Sequence, residues 1–187
     1  MLRSGGFRGG LPEARARGNR RLWFGKCEGD VMQGQLAQMM ARFAQQGKVA
    51  WIGLRGARLV GMDAVERVAV TNSGLVGDHG RVGKRAVTLV QAEHLVAIGG
   101  YLGRSAVAPE VLRRNLVVEG LNLSALKGRQ VRIGTAVLEI TTVCAPCSRM
   151  ETALGAGGYA AMRGHGGWCA SVILEGEIAL GDAVTPL

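Results

Sequence analysis

The sequence contains no apolar run close to the roughly 18 to 20 residues that a membrane-spanning helix requires. Its N-terminus lacks the continuous apolar segment of a secretory signal, and its glycines make a poor amphipathic transit helix. Cysteines are also few, at four in 187 residues. Without a secretory signal, that number fits a reducing compartment better than a disulfide framework. We therefore expect a cytoplasmic protein with no membrane partner.

Positive charge is concentrated at one end of the chain. The formal net charge is +9, but residues 1–26 hold seven Lys or Arg residues and a single Glu. The remainder therefore carries only about +3, which is an ordinary balance. Residues 1–27 also lack apolar periodicity and are rich in Gly and Arg, which predicts a disordered basic tail. A module whose tail grips nucleic acid is accordingly a minor hypothesis.

Residues 49–187 are predicted to form one domain of short strands and helices. The predicted strands are Val49–Leu54, Glu66–Thr71, Ala86–Val90, Leu116–Glu119, Gln130–Ile133, Ala136–Val143, Ala170–Leu174 and Glu177–Leu180. The predicted helices are Gln91–Leu102, Pro109–Arg114, Ser148–Leu154 and Tyr159–Met162. Tight turns at Ile133–Ala136 and Leu174–Glu177 predict hairpins, and hence antiparallel pairing. The expected fold class is mainly β with helices (α+β), built on an antiparallel, barrel-like sheet.

Residues 28–48 show a helical pattern instead. Apolar residues recur near a helical spacing, which predicts an amphipathic helix over Asp30–Gln46, with Asp30 as its cap and Gly47 as its end. The apolar stripe consists of Val31, Leu36, Met39, Met40 and Phe43. We expect this face to pack on the domain or on a second copy rather than to hold a cofactor.

The most informative motif is Cys-Ala-Pro-Cys at residues 144–147, where a strand-like run stops and Ser148 begins a helical pattern. Unpaired backbone N–H groups at a helix start, with the positive end of the helix dipole, favour the thiolate form of a nearby cysteine. Arg149 adds a positive charge. Pro146 fixes the turn immediately before Cys147 and holds that thiol at the helix start. Cys147 is therefore the candidate residue for sulfur or metal chemistry.

Three other roles for the cysteines stay open. A thioredoxin-like dithiol would need parallel βαβ surroundings, whereas this motif follows a predicted hairpin strand late in the chain. A four-thiolate zinc site would need Cys27 and Cys169, which do not form a second closely spaced pair. A buried structural pair is the third alternative, and Pro146 argues against it.

Further candidate ligand-binding residues lie in two polar segments. Asp78 and His79 occupy a glycine-rich turn that Arg85 follows, a pattern that equally fits a turn with a solvated basic edge. Arg113 and Arg114 end a short helical segment before Asn115. Such arginines either complement a helix C-terminus or hold a phosphate bidentately.

His94 and His165 are predicted to differ in role. His165 lies between glycines rather than on an apolar face, which favours contact with a ligand. His94 lies inside a predicted helix and is expected to be structural.

The region from about residue 49 to residue 184 resembles the MOSC domain, the module at the C-terminus of molybdenum cofactor sulfurases that also exists as a stand-alone protein. The resemblance rests on ordered blocks at residues 74–79, 87–94, 113–116, 126–134 and 144–147. The segment Met-Arg-Gly-His-Gly-Gly at residues 162–167 resembles the small bacterial stand-alone members.

The resemblance implies a β-barrel-containing fold and a role in binding molybdenum cofactor (molybdopterin) or in carrying sulfur. The family cysteine matches Cys147, which would ligate molybdenum or hold a persulfide. Cations are expected to hold the pterin phosphate, and the candidates are Arg85, Arg113, Arg114 and Arg163. The surrounding pocket would contain Asp78, His79, Asn115 and His165.

The resemblance also implies partners. The chain has no room for the aminotransferase-like domain of full sulfurases, so we expect no bound pyridoxal phosphate. Sulfur would then come from a separate cysteine desulfurase, and the protein would act as a sulfur carrier or sulfurtransferase. The alternative is a small molybdenum-dependent oxidoreductase that reduces N-hydroxylated compounds with electrons from electron-transfer proteins.

Overall fold

The computed structural model describes residues 28–58 and 60–187, and their side chains from residue 34 onward. The predicted basic tail and Cys27 lie outside the described residues. Helix α1 spans Glu28–Met40 and so ends six residues earlier than predicted. The physical reason lies in the loop that follows, where Phe43 packs against the main core and the Gln45 side chain donates to the Gly120 carbonyl at 3.1 Å.

The strands follow in chain order as β1 (Gly47–Leu54), β2 (Asp63–Ala64), β3 (Arg67–Thr71), β4 (Gly74–Leu75), β5 (Val87–Gln91), β6 (Leu116–Glu119), β7 (Gln130–Ile133), β8 (Ala136–Val143), β9 (Trp168–Leu174), β10 (Gly176–Ala179) and β11 (Ala183–Pro186). Seven of them form a sheet in the order β11-β7-β8-β9-β5-β6-β1, which closes because β11 also pairs with β1. The short strand β2 extends β1, and β10-β3-β4 form a separate small sheet. The prediction of a β-rich, barrel-like α+β fold is confirmed.

One neighbouring pair in the barrel, β5 with β6, is parallel. Parallel neighbours need a crossover, and helices α2 (Ala92–Tyr101) and α3 (Pro109–Leu112) provide it. The remaining helices, α4 (Ser148–Leu154) and α5 (Gly158–Ala161), lie between β8 and β9. Among the described residues, no helix has the length and apolar character that crossing a membrane requires.

Strand register decides which loops meet. Leu89 of β5 pairs with Leu116 of β6 on one side and with Trp168 of β9 on the other. Trp168 in turn pairs with Val143 at the end of β8. The residues that precede β6, precede β9 and follow β8 therefore converge beside the middle of β5.

Three strands were predicted at their observed bounds, Leu116–Glu119, Gln130–Ile133 and Ala136–Val143, and the hairpin at Ile133–Ala136 joins the last two. The predicted hairpin at Leu174–Glu177 is wrong. Strand β9 pairs with β8 along its length and with β5 at Trp168–Ala170, and it does not pair with β10. Strand β10 pairs with β3 in the small sheet instead.

Two apolar clusters hold these elements in place. The first fills the barrel and includes the fully buried side chains of Ile52, Leu89 and Leu138. The second lies among the helices and the neighbouring strands, and it includes Leu112 of α3, Met150 and Leu154 of α4. Full burial of such side chains stabilises a fold by about 1.5–3 kcal/mol each, so the burial of Met150 and Leu154 holds α4 against its neighbours.

Candidate functional site

A cleft rich in cations lies where the loops after β8 and before β6 meet. It consists of two adjoining depressions of about 450 and 810 Å³. Both are lined by Arg55, Arg58, His79, Arg85, Arg114, Ala145 and Cys147. We call this shared space the cationic cleft.

The cleft has one sign of charge. Eight basic side chains line one or both of its depressions: Arg55, Arg58, Arg81, Lys84, Arg85, Arg113, Arg114 and Arg149. Among residues 28–58 and 60–187, no Asp or Glu contributes to its lining. A concave surface lined by one sign of charge concentrates ions of the opposite sign, so the cleft is built to receive an anion.

Cys147 lies at the boundary between the β8 loop and helix α4. Its backbone is extended, and it is the residue immediately before the first turn of α4. The side chain is exposed, and it makes no capping hydrogen bond to the helix. Three residues, Cys144, Ala145 and Pro146, separate it from the end of the barrel strand at Val143. The thiol is therefore free to face the cationic cleft, whose lining includes it.

Arg55, one of the cleft cations, is held from behind by Asp78. Its Nε and Nη2 atoms donate to the two carboxylate oxygens of Asp78 at 2.9 and 2.7 Å. The backbone N–H of Arg55 also donates to this carboxylate at 2.7 Å. The Asp78 side chain is fully buried and that of Arg55 is 14% exposed. Such a bidentate pair fixes the direction of the guanidinium.

Burial opposes the ionisation of Asp78, but the hydrogen bonds and positive charge of Arg55 outweigh it. The pKa of the Asp78 carboxyl consequently lies below its ordinary value. Asp78 thus stays ionised at neutral pH and supports Arg55.

Asn115 joins this pair to three barrel strands. Its side-chain oxygen accepts from Arg55 Nη2 at 2.9 Å, and from the Thr88 hydroxyl and N–H at 2.8 and 3.1 Å. Its side-chain N–H donates to the Gly53 carbonyl at 3.1 Å. The side chain is fully buried, so Asn115 positions Arg55 relative to β1, β5 and β6.

Arg114 is buried and ties together the loops that form the cleft. Its Nε, Nη1 and Nη2 atoms donate to the carbonyls of Gly166, Leu112 and Cys144 at 2.6, 2.8 and 3.2 Å. Burial lowers the pKa of Arg114 below its usual value, an effect that the nearby cysteines oppose. It remains a cation at neutral pH.

Cys144 and Cys169 form a second sulfur pair beside the cleft. Cys144 borders the larger depression and is 4% exposed, and Cys169 is fully buried. A hydrogen bond from the Cys169 thiol lowers the pKa of Cys144; burial opposes this shift, and the charges of Arg114 and Arg85 reinforce it. The same contact and burial raise the pKa of Cys169. These influences favour ionisation of Cys144 over ionisation of Cys169.

The structure distributes the sequence-predicted residues over three environments. His79, Arg85, Arg113, Arg114 and Cys147 line the cationic cleft. Asp78 and Asn115 are buried behind it and hold Arg55. Arg163 and His165 do not line the cleft but a separate depression of about 460 Å³, together with Tyr101.

His165 instead interacts with residues of α2. Its ring lies 4.7 Å from that of His94 in an edge-to-face arrangement and 5.4 Å from that of Tyr101. Burial and the charge of His165 lower the pKa of His94. Both histidines therefore belong to the packing between α2 and the glycine-rich loop.

Sequence reasoning missed three residues of the site. Arg55 and Arg58 follow a predicted strand with no recognisable motif, and only the fold brings them to Asp78 and the cleft. The sequence predicts Cys144 only as a member of a dithiol, a zinc site or a buried structural pair, because its position beside Cys169 depends on the β8–β9 register. The burial of Asp78 demands a cationic partner, but that burial is itself known only from the fold.

The comparisons with known proteins agree with this architecture. The MOSC domain model matches residues 76–185. None of the curated proteins matches the chain. The crystal structure of YuaD protein from Bacillus subtilis has a TM-score of 0.66 at 17% identity, over 75% of this chain and 94% of that one.

Two further solved structures are similar. YiiM from Escherichia coli has a TM-score of 0.60 at 22% identity, over 75% of this chain and 69% of that one. YiiM from Geobacillus stearothermophilus has a TM-score of 0.63 at 21% identity, over 75% of each chain. These likenesses establish the fold. Since the family model covers more than half of the sequence, the chain belongs to the MOSC domain family.

Proposed function

We propose that this protein binds molybdenum cofactor in the cationic cleft, with Cys147 as a thiolate ligand or as a carrier of sulfur. The observation that carries the proposal is an exposed cysteine on the wall of a cleft with eight basic side chains. A thiolate in positive surroundings is the chemical requirement for both roles.

The size and charge of the cleft suit this ligand. The two depressions, at about 450 and 810 Å³, lie within the range of roughly 300–1,000 Å³ typical of small-molecule and cofactor sites. Molybdopterin carries a phosphate and a dithiolate, which are both anionic. Arginine side chains bind phosphate through paired N–H groups, so the cation-rich lining matches the ligand's charge.

Each residue has a distinct part in the proposed site. Arg85 and Arg58, which are exposed at the cleft, would bind the phosphate. Arg55 is held in one direction by Asp78 and Asn115, so it would bind an anionic group without reorganisation. Cys147 would present its thiolate from the start of α4. When bound, molybdenum supplies two-electron redox chemistry and the transfer of oxygen or sulfur atoms.

A sulfur carrier needs a donor, and a reductase needs an electron source. We propose a cysteine desulfurase as the donor in the first case and electron-transfer proteins in the second, with the protein working in the cytoplasm. The exposed position of Cys147 suits a delivery reaction in which the donor's persulfide must approach the acceptor sulfur.

Replacement of Cys147 by serine tests the proposal. We expect Cys147→Ser to lose at least about tenfold in the molybdenum and pterin that co-purify with the protein, because the sulfur is removed from the site. The free energy of unfolding should change by less than about 0.5 kcal/mol, because the side chain is exposed and serine is similar in size. Elemental analysis, fluorescence of the oxidised pterin and denaturant unfolding would measure the three quantities.

The matched control is Ser148→Ala, which changes the next exposed side chain and does not alter the cleft lining. This variant should retain the wild-type molybdenum and pterin. Equal cofactor content in wild type and Cys147→Ser would reject the assigned role of Cys147.

A second test concerns the cations. Arg85→Gln should weaken cofactor binding about tenfold, since a charge-assisted hydrogen bond contributes roughly 1.5–3 kcal/mol. Arg132→Gln is its control, because this substitution removes the same charge. Arg132 is exposed on β7 and does not line the cleft. Titration of the apoprotein with isolated cofactor would give both affinities. An equal loss in the two variants would mean that only net charge matters.

A further inference from the structure

The buried guanidinium of Arg114 lacks an acidic partner. Its three hydrogen bonds all go to carbonyl oxygens, which satisfy the donors but carry no net charge. Within residues 28–58 and 60–187, the salt bridges do not include Arg114. A charge that is 7% exposed is costly to hold without a counter-charge, and Arg55 nearby increases that cost.

Cysteine sulfurs are the groups of opposite potential charge beside Arg114. Cys144, Cys169 and Cys147 each favour its charged form, in that order of strength. Cys144 is joined to it most directly, because Arg114 Nη2 donates to the carbonyl of Cys144 itself. Arg85 and Arg114 line the same depression as Cys144. The neighbouring Cys169 thiol and the charge of Arg85 both favour the ionised form of Cys144. Hydrogen bonding and positive charge both favour a thiolate.

We propose that Cys144 is a thiolate paired with Arg114, and that it accepts sulfane sulfur from Cys147. Cys144 and Cys147 border the same depression and are separated by the two-residue turn Ala145-Pro146. Cys144 is almost completely buried, whereas Cys147 is exposed. The exposed sulfur of Cys147 can therefore react with a donor, and a sulfur atom transferred to Cys144 would be protected from solvent. The acceptor role rests on the sulfur-carrier form of the proposed function, whereas the ion pair does not.

The transfer balances without an added oxidant or reductant. The Cys144 thiolate attacks the outer sulfur of a Cys147 persulfide, and a new S–S bond forms to Cys144. The S–S bond to Cys147 breaks, and Cys147 leaves as a thiolate with the electron pair of that bond. The proton of the persulfide, where present, stays on the transferred sulfur, and no group changes its overall oxidation level.

The ion pair is tested by thiolate absorbance near the ultraviolet edge as a function of pH. In a Cys27→Ser/Cys147→Ser background, the titration should show one thiolate with a midpoint well below the ordinary value of about 8.5 for a cysteine. Adding Cys144→Ser should remove that step. A step that survives Cys144→Ser, or a midpoint at or above the ordinary value, would overturn the assignment.

A conservative pair of variants separates a specific contact from general burial. Cys169→Ser keeps a hydrogen-bond donor beside Cys144 and should leave the midpoint low. Cys169→Ala removes the donor and should raise the midpoint by about one unit, since one lost hydrogen bond to a charged group is worth roughly that much. Equal midpoints in the two variants would contradict the role given to Cys169.

The acceptor role is tested with glutathione persulfide as the donor. In wild type, cyanide-labile sulfur located by peptide mass spectrometry should appear first on Cys147 and then on Cys144. Cys144→Ser should retain it on Cys147, and Cys147→Ser should load Cys144 about tenfold more slowly, because little of that sulfur is exposed. Sulfur that stays on Cys147 in wild type, or that loads Cys144 equally fast in Cys147→Ser, would overturn the acceptor role alone. No sulfur on either cysteine would reject both the acceptor role and the sulfur-carrier function, whereas the pH titration decides the ion pair independently.

Discussion

Replacing Asp78 by asparagine is expected to lower the free energy of unfolding by roughly 3–5 kcal/mol, the usual cost of breaking one partner out of a buried ion pair. Asparagine keeps the size of the side chain but loses the charge that balances Arg55, whose side chain is only 14% exposed. It also offers one acceptor oxygen where the carboxylate uses two. Denaturant unfolding of both proteins at neutral pH measures the difference.

The same variant should lose ligand affinity. The bidentate contact would no longer fix the direction of the Arg55 guanidinium. Binding would then include the entropic cost of ordering that group, which lowers the affinity. We expect cofactor binding to weaken about tenfold or more at neutral pH, at temperatures where the variant is still folded. Measured affinity equal to wild type would show that Arg55 does not contact the ligand.

Acid should erase the stability difference between wild type and Asp78→Asn. The folded pKa of Asp78 lies below its ordinary value of 3.8. Its contribution is therefore fully present above pH 3.8 and is lost as the pH falls through the lower folded pKa. The two free energies of unfolding should converge below that pH. A constant difference down to the acid limit would mean that the charge of Asp78 is not what stabilises the fold.

Glu177→Gln is the matched control for Asp78→Asn. Glu177 also forms an ion pair with an arginine, Arg67, but both side chains are about half exposed or more. An exposed pair is usually worth less than about 1 kcal/mol, so this variant should be close to wild type at every pH. The contrast isolates burial as the source of the expected effect.

Much of the barrel could be predicted from local pattern, because its strands alternate or cluster apolar residues within a few positions. The strands at Leu116–Glu119 and Ala136–Val143 show this. The pairing partner of β10 could not be predicted, because β10 pairs with β3, which lies far earlier in the chain. Local turn chemistry at Leu174–Glu177 contains no information about so distant a partner.

The site could be predicted where its residues adjoin the relevant strand and helix in sequence. It could not be predicted where strand register brings distant residues together. Cys147 could be placed at a helix start because the strand and helix adjoin it in sequence. Arg55 comes to Asp78 across 23 residues, and helices α4 and α5 lie between Cys144 and Cys169 in the chain. His165 was predicted to contact the ligand because glycines flank it, but its contacts to His94 and Tyr101 depend on how α2 lies.

In the glycine-rich loop before β9, we expect Gly167→Ala to lower the free energy of unfolding by roughly 3 kcal/mol or more. Gly167 has φ +86°, and a Cβ there would lie 2.1 Å from the backbone oxygen of Leu89. The φ angle alone costs an alanine about 1–2 kcal/mol, and overpacking typically adds about 1–3 kcal/mol. Leu89 cannot retreat easily, because β5 pairs with both β6 and β9 at that residue.

Gly164→Ala in the same loop separates the two costs. Gly164 has φ +82°, nearly the same conformation, but no atom lies within 4 Å of a Cβ built on it. It should therefore show only the conformational cost of about 1–2 kcal/mol.

The carbonyl of Gly167 also accepts from the Cys144 N–H at 2.9 Å, so Gly167→Ala should displace the cysteine loop as well. Faster alkylation of Cys144 in Gly167→Ala than in Gly164→Ala would report that displacement, whereas equal stability of the two variants would mean that this loop yields freely and does not position the cysteines.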